Sequence, residues 1–112
     1  MTKDPIVIVG MARTPMGSFQ GSLSSMSGPK LGSVAIKSAL ERAQVLNENV
    51  SEVIMGCVLP AGQGQAPARQ AALGAGIPMD VGATTINKMC GSGMKATMFG
   101  HDLIVAGSAN IA

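Results

Sequence analysis

A chain of 112 residues, 46% hydrophobic and 12% charged, has room for one small domain or a piece of a larger one. Its charged share is about half that of an ordinary soluble domain. Eight Lys and Arg stand against six Asp and Glu, a formal charge of +2, and they form no run or stripe. With two Phe and no Trp or Tyr, that excludes a nucleic-acid footprint and a base-stacking platform. No apolar stretch reaches the roughly 18 residues of a membrane span, and the amino terminus has no signal-peptide core. The shortage of charge, with fifteen Gly and nine Met, suggests a chain that packs closely against further protein.

In chain order, the β-branched run Ile6-Val7-Ile8-Val9, ended by Gly10, has the pattern of a strand buried on both faces of a parallel sheet. Met11 to Gly28 is predicted as a long Gly-, Ser- and Pro-rich loop. A helix opens near Pro29, with Leu31, Val34, Ala35, Ala39, Leu40 and Ala43 on one stripe and Lys37, Glu41 and Arg42 off it. After a turn at Asn47-Glu48-Asn49, Val53-Ile54-Met55 with Cys57-Val58 is a second strand, followed by a loop over 59–66. Pro67 opens a short helix over 68–75, closed by Gly76 and the turn Ile77-Pro78. Ala83 to Ile86 is a third strand, and a tight turn through Cys90-Gly91-Ser92-Gly93 leads into a third helix over 94–106. That helix is apolar nearly all round, so burial in something larger is expected. Asn110-Ile111-Ala112 has the pattern of the opening of a fourth strand. The order βαβαβα implies an α/β fold with a mainly parallel sheet covered by helices, ending before the domain is complete.

The chemistry concentrates in Asn87-Lys88-Met89-Cys90-Gly91-Ser92-Gly93-Met94-Lys95-Ala96. A cysteine at the end of a buried strand and the start of a helix lies where open α/β sheets bind ligands. The free N–H groups and positive dipole end of the helix favour a thiolate there. Gly91 and Gly93 clear side chains from around the sulfur, so that backbone N–H groups and a substrate carbonyl can meet, as an oxyanion hole requires. These are parts for forming a thioester on the enzyme. The bland alternative for Cys90 is inert packing, the usual state of a free cysteine. Cys57, inside a strand without a glycine elbow, is the weaker candidate. A disulfide between Cys57 and Cys90 is not expected in a Met-rich, intracellular-looking chain. With one His and no CxxC there is no credible zinc site.

Gly91 to Ala96 also satisfies the dinucleotide pattern GxGxxG/A, but it follows the third strand rather than the first, and the acidic residue about 20 positions on would lie past Ala112. His101 lies about eight residues past the helix start, roughly 12 Å along the axis, too far for a Cys–His dyad. A helix-face histidine touching Asp102 is the expected role. Lys88 and Lys95 are predicted to be solvated or to flank the elbow.

The elbow NKMCGSGMKA resembles the active-site segment of thiolases. The segments VIVGMARTPMGSFQGSLS, LGSVAIKSALERA and VSEVIMGCVLPAGQGQAPARQAALGAGIP resemble that family's first strand and loop, its first helix, and its second strand, loop and second helix. The Lys before the elbow cysteine and the Gly after it resemble the biosynthetic acetyl-CoA acetyltransferases; long-chain degradative members tend to have Arg-Gln-Cys-Ser-Ser there. Departures are Met89 and Met94, where Val and Leu are usual, Cys57, where a polar residue is common, and Lys30, where an acidic residue often opens the first helix.

The resemblance implies that residues 1–112 form the first part of the thiolase amino-terminal domain, the rest of that domain and the carboxy-terminal domain lying elsewhere. It implies a ping-pong Claisen condensation in which Cys90 takes acetyl from acetyl-CoA, its backbone N–H helping to hold the thioester oxygen. A second acetyl-CoA then yields acetoacetyl-CoA and CoA, and the reverse is thiolysis. Coenzyme A thioesters are substrates, and no permanently bound cofactor or metal is expected. Two histidines, an Asn-Glu pair and a second cysteine would come from a later half of the chain, so these residues alone are expected to be inactive. A cytoplasmic homodimer or homotetramer, without nucleic-acid or membrane partners, is the implied setting. The alternatives are another condensing enzyme of the thiolase superfamily, of the ketoacyl synthase type, and a dinucleotide-binding fragment.

Overall fold

The computed structural model describes residues 4–112. Its helices are α1 (Gly28–Ala43), α2 (Pro67–Gly74) and α3 (Ser92–Val105), and its strands are β1 (Glu52–Gly56) and β2 (Gly82–Ile86). Ser27 caps α1, its hydroxyl accepting the Lys30 N–H at 3.3 Å, with Pro29 in the first turn where its missing donor costs nothing. Gln44 ends the helix in a left-handed conformation at φ 55°. Asn47–Asn49 forms a single 3-10 turn at the predicted turn. Pro67 opens α2, and Gly76, at φ +88°, turns the chain out of it, as a glycine does without steric cost.

β1 and β2 pair in parallel, from Glu52 opposite Gly82 to Gly56 opposite Ile86, with α2 as the crossover. Side chains alternate across a strand, and the two faces are covered differently. Val53, Val50, Ala72, Ile77 and Val81 make the buried core, with Ile36, Leu40, Val45, Met55 and Ala83 packed on it. That is the face under α2 and α1. Close approach of those two helices rests on small residues: a Cβ at Gly32 would lie 3.0 Å from Ala71 Cβ, and Ser33 Oγ donates to Ala71 O at 2.8 Å. The opposite face of β1 carries α3, which turns Ser92, Ala96 and Gly100 inward.

The chain thus has the α/β arrangement expected, with helices on both sides of a parallel ladder. Four expectations are corrected. Ile6 to Val9 is not a strand: Val7, Ile8 and Val9 are 62–76% exposed. No strand among the described residues lies beside them to supply a ladder, and an unpaired extended run has nothing to bury it. The segment is held instead against the end of α1, where Arg42 Nη1 donates to Met11 O at 2.9 Å and Gly10 closes on Ala39 and Ala43. The loop that follows contains successive turns closed by Gly21 N to Ser18 O, Ser24 N to Gly21 O and Met26 N to Leu23 O. On α1, Ile36 rather than Val34 reaches the core; Val34 is exposed.

α3 is not buried all round: Met94, Met98, Phe99 and Val105 are exposed, because only its small-residue face has a strand to pack on. Asn110 to Ala112 forms no strand, although Ser51 N donates to Ile111 O at 2.8 Å, beside the start of β1. The accessible surface of 7744 Å² exceeds the roughly 5,700 Å² of a compact protein of 11.2 kDa, in keeping with apolar faces left uncovered.

Candidate active site

Cys90 stands in the turn from β2 to α3, exposed and unpaired; Cys57 is a half-buried free thiol. Cys57 follows directly on β1, where its backbone N donates to Ile86 O at 2.9 Å and Gln63 Nε2 sits 3.7 Å from its sulfur. Cys90 thus stands at an open turn, whereas Cys57, expected inside the second strand together with Val58, lies just past it, because β1 ends at Gly56.

The turn is built by backbone hydrogen bonds and one buried hydroxyl. Met89 takes φ +50°, a left-handed conformation that an unbranched non-glycine residue adopts seldom and at a cost. Its side chain is exposed, so packing does not offset that cost. Hydrogen bonds do: Met89 N donates to Asn87 Oδ1 at 2.9 Å, Gly91 N to Lys88 O at 3.0 Å and Ser92 N to Met89 O at 3.1 Å. Ser92, 5% exposed, accepts the Lys88 N–H at 2.9 Å and donates to Met89 O at 2.6 Å. Asn87 Nδ2 in turn donates to Val58 O at 3.3 Å, tying the turn to the segment after β1. These turn contacts use the N–H groups of Lys88, Met89, Gly91 and Ser92, not that of Cys90.

The two glycines singled out by pattern both stand in uncrowded positions. Gly91 caps α3 at φ −93°, ψ 9°, angles open to any residue, and a Cβ there would meet only Lys88 O at 3.5 Å. A Cβ at Gly93 would meet nothing within 4 Å. Neither is required by the protein's own packing. What they leave is open space beside the cysteine, which is what an incoming substrate needs. The glycine that packing does require is Gly56, at the end of β1: a Cβ there would lie 2.5 Å from Ser92 C and 2.6 Å from Gly93 N. Sequence reasoning passed over Gly56, Met89, Asn87 and Ser92.

His101 lies on α3 with Nδ1 3.1 Å from Asp102 Oδ1, both exposed, as the helical spacing predicts. Lys95 rests its Nζ 4.8 Å from the Phe99 ring centroid, while Lys88 is exposed. Two open clefts, of about 450 Å³ beside Leu40 and Ala75 and about 420 Å³ between Ile54, Ile86 and Phe99, are not lined by Cys90. Among the described residues no group of three His, Cys, Asp or Glu could hold a metal ion, and no helix is long and apolar enough to cross a membrane.

Comparison with known proteins places this arrangement. The family described as "Thiolase, N-terminal domain" matches residues 6–112. The acetyl-CoA acetyltransferase of Cupriavidus necator is 60% identical over 106 residues, 95% of this chain and 27% of its own. The cytosolic acetyl-CoA acetyltransferase of Gibberella zeae is 57% identical over 96% of this chain and 27% of its own, and a mitochondrial one from Xenopus tropicalis is 54% identical over 98% and 26%. In structure, a thiolase of Ascaris suum solved in complex with coenzyme A superposes with a TM-score of 0.87 at 38% identity, over 91% of this chain and 27% of that one. The acetyl-CoA acetyltransferase of Syntrophomonas wolfei gives 0.88 at 36% identity, over 93% and 26%. The chain thus spans about a quarter of the length of the relatives it matches.

Proposed function

The chain belongs to the thiolase family and has its fold, and from that premise we propose that the protein works as an acetyl-CoA C-acetyltransferase with Cys90 as its nucleophile. Residues 1–112 form the first part of the amino-terminal domain in this reading; the remainder of that domain and the carboxy-terminal domain lie outside them. The observation that carries it is the exposed sulfur of Cys90 at the β2–α3 turn, in a chain more than half identical to named acetyl-CoA acetyltransferases.

The Cys90 thiolate attacks the carbonyl carbon of acetyl-CoA, a new C–S bond forms, and the bond to the coenzyme A sulfur breaks. Coenzyme A leaves as its thiolate and takes up a proton from a general acid outside these residues, which the α-proton removed from the second acetyl-CoA replaces. Negative charge on the carbonyl oxygen falls beside the Cys90 N–H, which the turn leaves uncommitted, and preorganised donors of this kind lower the barrier. A second acetyl-CoA then loses an α-proton and its carbon attacks the Cys90 thioester. This gives acetoacetyl-CoA, and the thiolate is restored; thiolysis is the reverse.

The α-proton base is not in these residues. His101 is paired with Asp102 and stands nine residues beyond Ser92, roughly 13 Å along α3. The carboxylates Asp4, Glu41, Glu48 and Asp80 are exposed, and Glu52 opens β1 opposite Gly82, at the end of the ladder away from the turn that carries Cys90. Residues 1–112 alone are therefore expected to give no turnover, since loss of general acid–base groups costs orders of magnitude. The working protein is read as a cytoplasmic homodimer or homotetramer that uses coenzyme A thioesters without a permanent cofactor.

The test is peptide-mapped mass spectrometry of the full-length protein after incubation with acetyl-CoA. An acetyl group on the peptide carrying Cys90, lost on addition of coenzyme A, supports the reading. An adduct on Cys57 instead sinks it, and acylation only from an acyl carrier protein moves the protein to the ketoacyl synthase type.

A further inference from the structure

The left-handed Met89 sets the direction in which Cys90 leaves the ladder, yet nothing about Met89 itself favours that conformation. It is not glycine, and its exposed side chain gains no packing from it. A backbone angle of this kind persists only where its surroundings over-determine it. Beside the Asn87 side chain, which accepts the Met89 N–H, two of the hydrogen bonds that flank Met89 run through one atom. Ser92 Oγ accepts from Lys88 N on one side of Met89 and donates to Met89 O on the other, at 2.9 and 2.6 Å, while its residue is almost wholly buried.

We propose that Ser92 is the positioning residue of the Cys90 nucleophile, its hydroxyl holding Met89 left-handed so that the sulfur is presented toward the open space at Gly91 and Gly93. This rests on the reading of Cys90 as nucleophile. Ser92 touches no reacting atom; it acts through the backbone of residues 88 and 89. β1 fixes Ser92 in turn, because Gly56 brings the strand within contact of the Ser92 and Gly93 backbone. The chain of support therefore runs from β1 through Ser92 to the turn and the sulfur. The hydroxyl uses donor and acceptor together, on the two residues whose torsions aim the cysteine.

The experiment uses the full-length protein and follows single-turnover acetyl transfer from acetyl-CoA to Cys90 by rapid quench and mass spectrometry, with KM for acetyl-CoA measured alongside. S92A, folded and of parent oligomeric size, is expected to acylate about 10- to 100-fold more slowly, the range that small misplacements of reacting groups produce, with KM within twofold of the parent. The double variant M89G/S92A is the discriminating one. Glycine adopts a left-handed φ without the steric cost, so the double variant should acylate faster than S92A, whereas a space-filling Ser92 predicts two additive losses. S92A at the parent rate, or a double variant no faster than S92A, overturns the proposal. If S92A does not fold, S92T decides, since it keeps the hydroxyl: a parent-like rate supports the proposal and a large loss in folded S92T overturns it. Absence of any acetyl on Cys90 in the parent would instead strike the reading of the nucleophile, which keeps the two failures apart.

Discussion

Gly56→Ala tests whether β1 governs the site from a distance in sequence. The added Cβ would stand 2.5 Å from Ser92 C, 2.6 Å from Gly93 N and 2.7 Å from Ser92 Cβ. Two of these are backbone atoms, which cannot swing aside. Ordinary contact begins near 3.4 Å, so the start of α3 must retreat by roughly 1 Å, or β1 must bend by as much. Overpacking of this kind costs about 1–3 kcal/mol, and replacing a strand glycine returns only about 0.5–1 kcal/mol in chain entropy. A net loss of about 1–2 kcal/mol follows. The displaced atoms are two and three residues from Cys90, and a 1 Å misplacement near the chemistry costs about 100-fold in rate. Urea unfolding and single-turnover acetyl transfer to Cys90 read the two effects. Gly93→Ala is the internal contrast. Its Cβ would meet nothing within 4 Å, and alanine is better than glycine inside a helix by about 0.5–1 kcal/mol, so stability should hold or rise. Acetyl transfer should nevertheless slow, because the methyl enters the space assigned to substrate. Parent-like stability and rate in G56A would refute the packing argument, and an unimpaired rate in G93A would refute the placing of substrate.

Three further outcomes follow from the same structure. Lys30→Glu puts a carboxylate into a first turn of α1 that has no acidic residue and should raise the unfolding midpoint by the equivalent of about 0.3–1 kcal/mol at low salt, shrinking as salt is added. Ile77→Ala empties the core at a side chain only 3% exposed and should destabilise by about 2–5 kcal/mol in urea melts, without changing which cysteine is acetylated. His101→Ala removes an exposed contact with Asp102 and should alter stability by under about 0.5 kcal/mol; a large loss of acetyl transfer would show that His101 reaches the site after all.

Much of the fold was legible because local signals and neighbours agree. Pro29 and Pro67 mark helix starts, Gly76 marks a stop at a positive φ, and Val53 and Ala83 sit where the β1–β2 ladder forms. The failures share one cause. The run Ile6 to Val9 and the apolar circumference of α3 carry sequence patterns written for burial by partners, and a pattern is realised only where such a partner is present. Among the described residues, Ile6 to Val9 meets the end of α1, and α3 packs on β1 through Ser92, Ala96 and Gly100. The same reasoning accounts for Val34, which stays exposed, while Ile36, outside the six-residue stripe, packs on the core.

The site divides along a similar line. Cys90 was legible because strand, turn and helix follow one another in sequence, and exposure of a thiol at that junction needs no long-range information. The roles of the glycines were not, since whether a Cβ is tolerated depends on what comes near from elsewhere. Gly91 and Gly93 stand beside the cysteine in sequence but face open space, whereas the glycine under compulsion, Gly56, comes from another strand thirty-four positions before Cys90. Ser92 shows the same thing from the polar side. A serine in the first turn of a helix reads as an ordinary solvated or capping residue until β1 is known to bury it. Once buried, its hydroxyl has to find both partners inside the protein, and the ones within reach are the backbone groups around Met89. The strand that supplies the burial thereby also supplies the constraint on the cysteine. Substitutions at Gly56, Ser92 and Met89 should accordingly be coupled in their effect on acetyl transfer, beyond the few tenths of a kcal/mol by which distant sites depart from additivity.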